Sequence, residues 1–459
     1  RIETIEMGGF LAEYGPMRFE KMAQPLLMSL IAELGLETKH FASYAAANDA
    51  VSLFDLTFDE SGGKLHGSRL TTLELLKLGI LRLLNASGGD MDDPNDPQHR
   101  DWWTALNEED YSYVRNKAAY KGKFLYQMGF WNALSLVLNH SAVSKIMNYG
   151  TFYHVVHFNP NAAEWIIFWL RGLHPKEELV GIEQGTESIV GELVSRLDSA
   201  SEPSVSLYLN HKLTALYPYS DGRVLLEFKT KSFTKNETVK VLARNVILAL
   251  PRCPLMRLRP FLPEYIGELI DSVIPIPLVK CFFVNENPWW DESIPTQTRA
   301  LSTPAREIHY AYRKDGSRKR GLVMVYGDPP SMHYWIPFVQ QQEHLKAELN
   351  LDKRLVEGYL RYLRANLYSN DVRELEAEAR SISCFGIRDW SREPFEAGCH
   401  IWKAGVRVEE AIKELTVFSL SGSSPSNKNI HICGEAYSDF QGFIEGGLRT
   451  TLKVINHIT

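Results

Sequence analysis

NIHICGEAYSDFQGFIEGGLRTTLKVINHIT, residues 429–459, is the stretch that decides the fold. It predicts a short buried strand with Ile430 and Ile432 inside, then a Gly-Glu turn, an aromatic loop and a helix that opens near Gly442. The apolar stripe expected along that helix consists of Leu448, Leu452 and Ile455. A helix N-terminus offers unpaired N–H groups and a partial positive charge, which suits an anionic ligand. The pattern indicates a nucleotide-type cofactor; the alternative is an ordinary closing strand and helix with a surface glutamate.

The same stretch resembles the C-terminal flavin motif of the flavin-containing amine oxidases. In that family the Gly-Glu pair meets the FAD ribityl and pyrophosphate, which makes Gly434 and Glu435 cofactor ligands here. The following helix would direct its N-terminus at the flavin edge, and the backbone around Gly442 and Phe443 would cap flavin and substrate. Phe443 replaces the tryptophan that many relatives carry, so an aromatic lid is retained without its polar N–H.

The first twenty residues, RIETIEMGGFLAEYGPMRFE, resemble the family segment G-G-R-x-x-T followed by E-x-G-x-M-R-F. Arg1 would be the arginine of the first part, and it would contact the cofactor together with Gly15, Pro16 and Met17. The strand, G-x-G-x-x-G phosphate loop and helix of a dinucleotide-binding unit belong upstream of this segment in the family. No G-x-G-x-x-G occurs in the sequence. We therefore expect a small companion chain or fragment to carry the FAD phosphate loop.

The composition is that of a globular protein with two or three core-forming units: 459 residues, 44% hydrophobic and 23% charged. The net charge of −6 and the dispersed basic residues argue against nucleic acid as a partner. Five widely separated cysteines form neither a disulfide framework nor a zinc spacing, so we expect no metal site and a reducing, cytoplasmic location. No apolar run is long enough to span a bilayer, and no membrane partner is expected.

The fold class implied by these patterns and by the resemblance is α/β with α+β. It comprises a Rossmann-like FAD-binding domain that lacks its first βαβ phosphate-loop unit in this chain, a mixed-sheet substrate domain and an inserted helical domain. The predicted domains are a substrate-domain start with a FAD-contacting segment (1–57), a helical domain (58–178), a FAD-binding domain (179–275), a substrate-binding domain (276–424) and the FAD-binding C-terminal strand and helix (425–459). The helical insert would line the route of substrate and dioxygen, or form a plain bundle without a channel.

Three segments have distinct local patterns. Phe19–Leu36 has helical apolar spacing, with Pro25 expected to kink its first turns. Residues 205–251 predict an antiparallel ribbon that leads into a buried strand. Gln341–Leu367 is expected to form a long amphipathic helix.

Arg18 is the first candidate for the chemistry, because an arginine fixes a carboxylate through two parallel N–H···O bonds. In the L-amino acid oxidase branch the arginine of the G-P-M-R segment holds the substrate α-carboxylate, and the resemblance gives Arg18 this role. The alternative is an arginine that pairs with an internal acid or with FAD. Tyr310 is expected to donate its hydroxyl to the same carboxylate, with Tyr312 as a second choice and a packing role as the alternative.

Lys280 lies in the apolar run IPIPLVKCFF, where burial without a partner would be costly. By resemblance it holds a water near the flavin and assists reoxidation by dioxygen, and burial would lower its pKa toward neutrality. The alternative is a solvated lysine. The resemblance also makes the backbone near Leu213 an adenine contact.

Trp390 and the run AGCHIW at 397–402 resemble the segment at the dimethylbenzene edge of the flavin. Trp390 would contact the cofactor, whereas His400 and Trp402 are expected in the substrate pocket. Cys399 stands near the position at which monoamine oxidases attach FAD covalently, although amino acid oxidases mostly hold FAD without such a bond. A structural role is the alternative for His400.

Together these residues favour a flavin-dependent L-amino acid oxidase that converts its substrate to a 2-oxo acid, ammonia and hydrogen peroxide, with dioxygen as co-substrate. The close alternative is an L-amino acid 2-monooxygenase, which decarboxylates its substrate to an amide, because FGIRDWSREPFEAG and ICGEAYSDFQG resemble that subgroup equally. A flavin-less scaffold subunit is the alternative from another class, since the phosphate loop is missing. We also expect a homo-oligomer.

Overall fold

The computed structural model describes residues 2–41, 56–57, 69–70, 72–85, 102–104, 107–149, 158–199, 205–231, 236–288, 290, 297–300, 307–340, 347–366, 377, 380–420 and 428–458. Its strands are β1 (Thr4–Met7), β2 (Phe10–Glu13), β3 (Phe19–Glu20), β4 (Thr38–His40), β5 (Leu56–Thr57), β6 (Arg69–Leu70), β7 (Ala119–Tyr120), β8 (Lys123–Phe124), β9 (Leu179–Ile182), β10 (His211–Pro218), β11 (Val224–Lys231), β12 (Asn236–Ala243), β13 (Val246–Leu248), β14 (Val273–Ile276), β15 (Val279–Asn285), β16 (Gln297–Ala300), β17 (Glu307–Asp315), β18 (Arg318–Gly327), β19 (Glu348–Leu349), β20 (Ile382–Asp389), β21 (Cys399–Trp402) and β22 (Ile430–Ile432). Its helices are α1 (Pro25–Glu33), α2 (Thr72–Asn85), α3 (Glu108–Asn116), α4 (Phe130–Val137), α5 (His140–Tyr149), α6 (Ala162–Gly172), α7 (Ser188–Ser199), α8 (Arg252–Leu258), α9 (Glu264–Asp271), α10 (Met332–Trp335), α11 (Arg354–Asn366), α12 (Val408–Thr416) and α13 (Ile444–Ile458).

The largest sheet has the strand order β16-β17-β18-β15-β20-β19. Every described pair in it is antiparallel, so the prediction of a mixed sheet is wrong for this part of the chain. The central strand β15 is buried along its whole length, because sheet neighbours flank it on both edges and side chains cover both faces. Lys280 lies in β15 opposite Tyr326 of β18 and Arg388 of β20.

The last strand and helix form as predicted, although the helix buries a different face. The strand β22 is buried and pairs in parallel with β13, which follows the antiparallel ribbon β10-β11-β12 that the sequence predicted. Leu452 and Ile455 of the expected apolar stripe are 46% and 43% exposed. The buried positions of α13 are Glu445, Gly446, Thr450 and Val454. The stripe prediction is therefore wrong for Leu452 and Ile455, whereas Leu448 packs against a core together with Ile444.

The helices α2–α6 lie within the predicted helical segment and share a core rich in leucine and aromatic residues. The boundaries of the domains stay predictions. None of the helices in the described part of the chain has the length and apolar character needed to cross a membrane. The described residues contain no group of three or more His, Cys, Asp or Glu side chains placed to hold a metal ion.

Two predicted helices are shorter than expected. The segment Phe19–Leu36 begins as strand β3, and its helix starts at Pro25, because a proline needs no N–H in the first helical turn. Pro25 thus begins the helix and does not kink it. In the segment Gln341–Leu367, β19 pairs with β20, and α11 starts only at Arg354, whose N–H donates to Asp352 Oδ1 at 2.9 Å. The positions 341–346 and 367 lie outside the described residues.

Candidate active-site cavity

A cavity of about 300 Å³ lies where β15, β21, α6, the loop before β3 and the start of α13 meet. The predicted site residues that line it are Gly15, Pro16, Met17, Arg18, Lys280, Trp390, His400, Glu435, Gly442 and Phe443. Its walls are largely apolar and aromatic and carry a few polar groups, which is typical of small-molecule sites. The structure therefore gathers residues from four distant parts of the sequence around one volume.

Tyr310 does not line this cavity. In β17 the odd-numbered residues Glu307 and His309 lie on the side of Arg18, whereas Tyr310 faces the opposite core and its ring lies 5.1 Å from that of Trp290. Successive side chains of a strand point to opposite faces of the sheet. The prediction for Tyr310 is therefore wrong, because the neighbouring positions 307 and 309 face Arg18 instead. The placement does not support Tyr310 as a carboxylate ligand.

Several other predicted residues lie elsewhere. Trp402 is buried in a neighbouring core, and its Nε1 donates to the backbone oxygen of Ser438 at 2.8 Å. Leu213 packs against the same core from β10, and Gly434 is not among the residues that line the cavity. Arg1 lies outside the described residues.

Lys280 is buried beside the cavity, with only 3% of its surface exposed. Its Nζ donates to the backbone oxygens of Glu13 at 2.8 Å and Gly15 at 2.5 Å, and it lies 4.9 Å from the ring centre of Tyr326. Burial disfavours the ammonium form and lowers the pKa of Lys280 to about 7; Glu13 opposes this shift and the positive charge of Arg18 adds to it. Lys280 can therefore exchange a proton near neutral pH.

Arg18 lies in the cavity wall and pairs with Glu307. Its Nη1 donates to Oε1 of Glu307, and its Nη2 donates to Oε2 at 3.3 Å. His309 contacts the same carboxylate through Nε2. Arg18 and His309 hold the pKa of the Glu307 carboxyl well below its usual value although burial raises it. The alternative of an internal acid partner is thus present, and the positive charge in the cavity wall is balanced within the protein.

Glu435 joins the aromatic loop to β21. Its Oε1 accepts from the backbone N–H of His400 at 2.9 Å and of Gly442 at 2.8 Å, and its Oε2 lies 3.0 Å from Nδ1 of His400. A carboxylate has about four lone-pair sites, so these bonds occupy most of its capacity. Glu435 lines the cavity, but its oxygens mainly hold the wall in shape.

The sequence did not indicate Glu307, Glu13, Trp165 or Phe168 as site residues. Trp165 and Phe168 of α6 line the cavity and stack on each other with centroids 4.5 Å apart. Aromatic residues at helical spacing are common in any core, and the sequence offered no signal that this pair faces a cavity. The sequence also gave no sign that Glu307 is buried and charged, because its partner Arg18 lies far away in the chain.

The residues at the start of α13 fit a flat cofactor. Gly442 has φ of +88°, and no heavy atom lies within 4 Å of the position that a Cβ would take there, so a ring can lie against its backbone. Ile444 begins α13 and also lines the cavity, which brings the positive end of the helix dipole to the site. The Phe443 ring lies 5.9 Å from that of Phe168. These groups fit a flavin ring, and Gly15, Trp390, Gly442 and Ile444 line the cavity where they would hold it.

Comparison with known proteins agrees with this geometry. The profile of the flavin containing amine oxidoreductase family matches residues 1–454, and the chain belongs to that family, whose cofactor is FAD. Achacin from Lissachatina fulica is 26% identical over 254 residues, which are 51% of this chain and 46% of achacin, so the match spans about half the length of that relative.

Two solved structures share the fold over 100% of this chain and 90% of their own. Putrescine oxidase bound to putrescine is 15% identical with a TM-score of 0.60. Cyclohexylamine oxidase from Brevibacterium oxydans is 14% identical with a TM-score of 0.60. At these identities the likeness extends to the fold alone, which is the α/β FAD-binding architecture that the sequence predicted.

Proposed function

We propose that this flavoenzyme oxidises an L-α-amino acid to a 2-oxo acid, ammonia and hydrogen peroxide, with dioxygen as the final acceptor. The observation that supports this substrate class is the placement of Arg18, which lies in the cavity wall next to Lys280. A guanidinium can share its N–H groups between two carboxylates, so Arg18 can hold a substrate carboxylate while it keeps Glu307 as its counter-ion.

The chain's own residues would bind, orient and deprotonate the substrate. Arg18 fixes the carboxylate end, and the aromatic side chains of Phe443, Phe168 and Trp165 cover the apolar part and exclude water. Lys280 lines the same cavity and, uncharged above about pH 7, would accept a proton at Nζ. Bound FAD supplies the two-electron oxidation of the carbon–nitrogen bond.

A second candidate is the oxidation of an amine that carries no carboxylate. The Arg18–Glu307 pair favours it specifically, because an arginine already paired with a buried acid serves as a structural group. The two candidates differ in what Arg18 touches when substrate binds. A substrate panel separates them, since only amino acids need the guanidinium.

The test is a single purification followed by three measurements. Denaturing electrophoresis with mass analysis shows whether a second polypeptide accompanies the chain, and an absorption spectrum shows bound flavin. Oxygen consumption is then measured with a panel of L-amino acids and simple amines, and the products are identified. A 2-oxo acid with peroxide supports the proposal, an amide with carbon dioxide indicates the monooxygenase, and oxidation of amines alone contradicts the role of Arg18. A protein without flavin or turnover would be a scaffold subunit.

A further inference from the structure

A smaller cavity of about 30 Å³ lies beside the main one. The two cavities share the lining residues Trp165, Phe168, Ile401 and Gln441, so the side pocket adjoins the main cavity at α6 and the aromatic loop. Its volume exceeds what one water molecule needs and is enough for one small polar group.

Four residues that line the side pocket each have a buried polar atom that lacks a hydrogen-bond partner within the described chain. Two are acceptors, Oε1 of Glu20 and Oδ1 of Asp439, and two are donors, Nε1 of Trp165 and Nη2 of Arg171. Glu20 is 1% exposed and Arg171 is 6% exposed. A buried polar group without a partner is costly, so four such groups around one small volume indicate a site built for a polar ligand group.

The charges around this pocket are held in place by the protein. Asp439 Oδ2 accepts from Arg449 Nη1 at 3.1 Å, whereas the buried Oδ1 has no hydrogen-bond partner within the described chain. The guanidinium of Arg171 lies 4.5 Å from the ring centre of Tyr111 and 4.7 Å from that of Phe440, and its Nη1 donates to the backbone oxygen of Asp439 at 3.0 Å. Burial raises the pKa of Glu20 to about 8, so at neutral pH this carboxyl is uncharged: one oxygen carries the proton and the other remains an acceptor.

We propose that the side pocket receives the carboxamide at the end of the substrate side chain, which makes amino acids of the glutamine and asparagine type the preferred substrates. This inference rests on the proposed oxidation of an amino acid. A carboxamide offers two N–H donors and one carbonyl oxygen with two lone pairs, which matches two acceptors and two donors. A carboxylate end would face the charge of Asp439, and an ammonium end would face that of Arg171.

The test compares kcat/KM for L-glutamine, L-norleucine and L-glutamate, which have similar lengths and differ in the end group. We expect glutamine to exceed both others at least tenfold, because a site built for hydrogen bonds strongly rejects a group that leaves them unmade. If norleucine is oxidised as well as glutamine, only the side-pocket proposal fails. If none of the amino acids is oxidised, the proposed function itself fails.

Variants of the residues that line the side pocket test whether this pocket causes the preference for glutamine. Glu20→Leu should lower the ratio of glutamine to norleucine turnover at least fivefold, whereas Glu20→Gln, which keeps the carbonyl acceptor, should preserve it. Trp165→Phe keeps the aromatic stack and removes Nε1, so it provides a second measurement if Glu20→Leu does not fold. An equal loss for both substrates, or an unchanged ratio in Glu20→Leu and in Trp165→Phe, overturns the proposal.

Discussion

Arg18 and Glu307 form a buried ion pair across 289 residues of sequence, in the wall of the main cavity. The guanidinium is 8% exposed and the carboxylate 1% exposed. Because the two charges are taken out of water together, neither can be removed alone without leaving the other unpaired. A change to this pair should therefore affect both the stability of the protein and its substrate specificity.

We predict that Arg18→Ala lowers the free energy of unfolding by about 3–5 kcal/mol, since the Glu307 carboxylate stays buried without its partner. The double variant Arg18→Gln with Glu307→Gln removes both charges and should fold nearly as stably as the unchanged protein. In that double variant KM for amino acids should rise at least tenfold, whereas KM for an amine without a carboxylate should change little. Urea unfolding and steady-state kinetics measure the two effects separately.

The double variant also carries the control for this prediction. A KM for amino acids that stays at its original value, in a protein that folds and turns over, would show that Arg18 has only a structural role. The second candidate function would then be favoured.

Lys280 should give the activity a pH dependence near neutrality. Its pKa is lowered to about 7, so the uncharged amine that accepts a proton becomes dominant as the pH rises through 7. We predict that kcat/KM rises between pH 6 and 8, and that Lys280→Met lowers it roughly 100-fold and removes this rise. Lys240→Met changes a lysine that is 60% exposed and serves as the matched control. If the inflection near pH 7 persists in Lys280→Met, another group titrates.

Glu20 should make stability fall as the pH rises. Its pKa is about 8 in the folded protein and about 4.5 in an unfolded chain, so between these values the folded state binds the extra proton. The free energy of unfolding should therefore decrease with pH by up to about 1.4 kcal/mol per unit in this window.

Glu20→Gln cannot ionise, so the slope that Glu20 contributes should disappear in this variant. Urea unfolding at several values between pH 5 and 7 measures it, below the range in which Lys280 contributes the opposite slope. Glu178→Gln, at a glutamate that is 62% exposed, is the control and should keep the slope. An identical slope in Glu20→Gln would contradict the assignment.

The sequence predicted the parts of the site that depend on local order. Arg18, Gly442 and Phe443 lie in short segments with fixed spacing, and the structure places all three at the cavity. Tyr310 was assigned wrongly because its strand presents alternate residues to two cores, and the sequence does not show which core adjoins the cavity. The partner of Arg18 could not be predicted either, since the sheet alone brings Glu307 to it.

The packing of the C-terminal helix α13 could not be predicted from its sequence either, and it leads to a last prediction. Leucine and isoleucine spacing predicted its buried face, but the helix packs through Gly446, where a Cβ would clash with the backbone oxygen of Phe440 and the hydroxyl of Ser438. Gly446→Ala should therefore lower the free energy of unfolding by about 1–3 kcal/mol and displace the aromatic loop that lines the cavity. At Gly447 the nearest atom to an added Cβ is the backbone nitrogen of Glu435 at 3.8 Å, so Gly447→Ala should raise the free energy of unfolding by about 0.5–1 kcal/mol through helix propensity. Urea unfolding of the Gly446→Ala and Gly447→Ala variants measures both changes. Equal changes in the free energy of unfolding would mean that the close contact at Gly446 does not hold the helix against the loop.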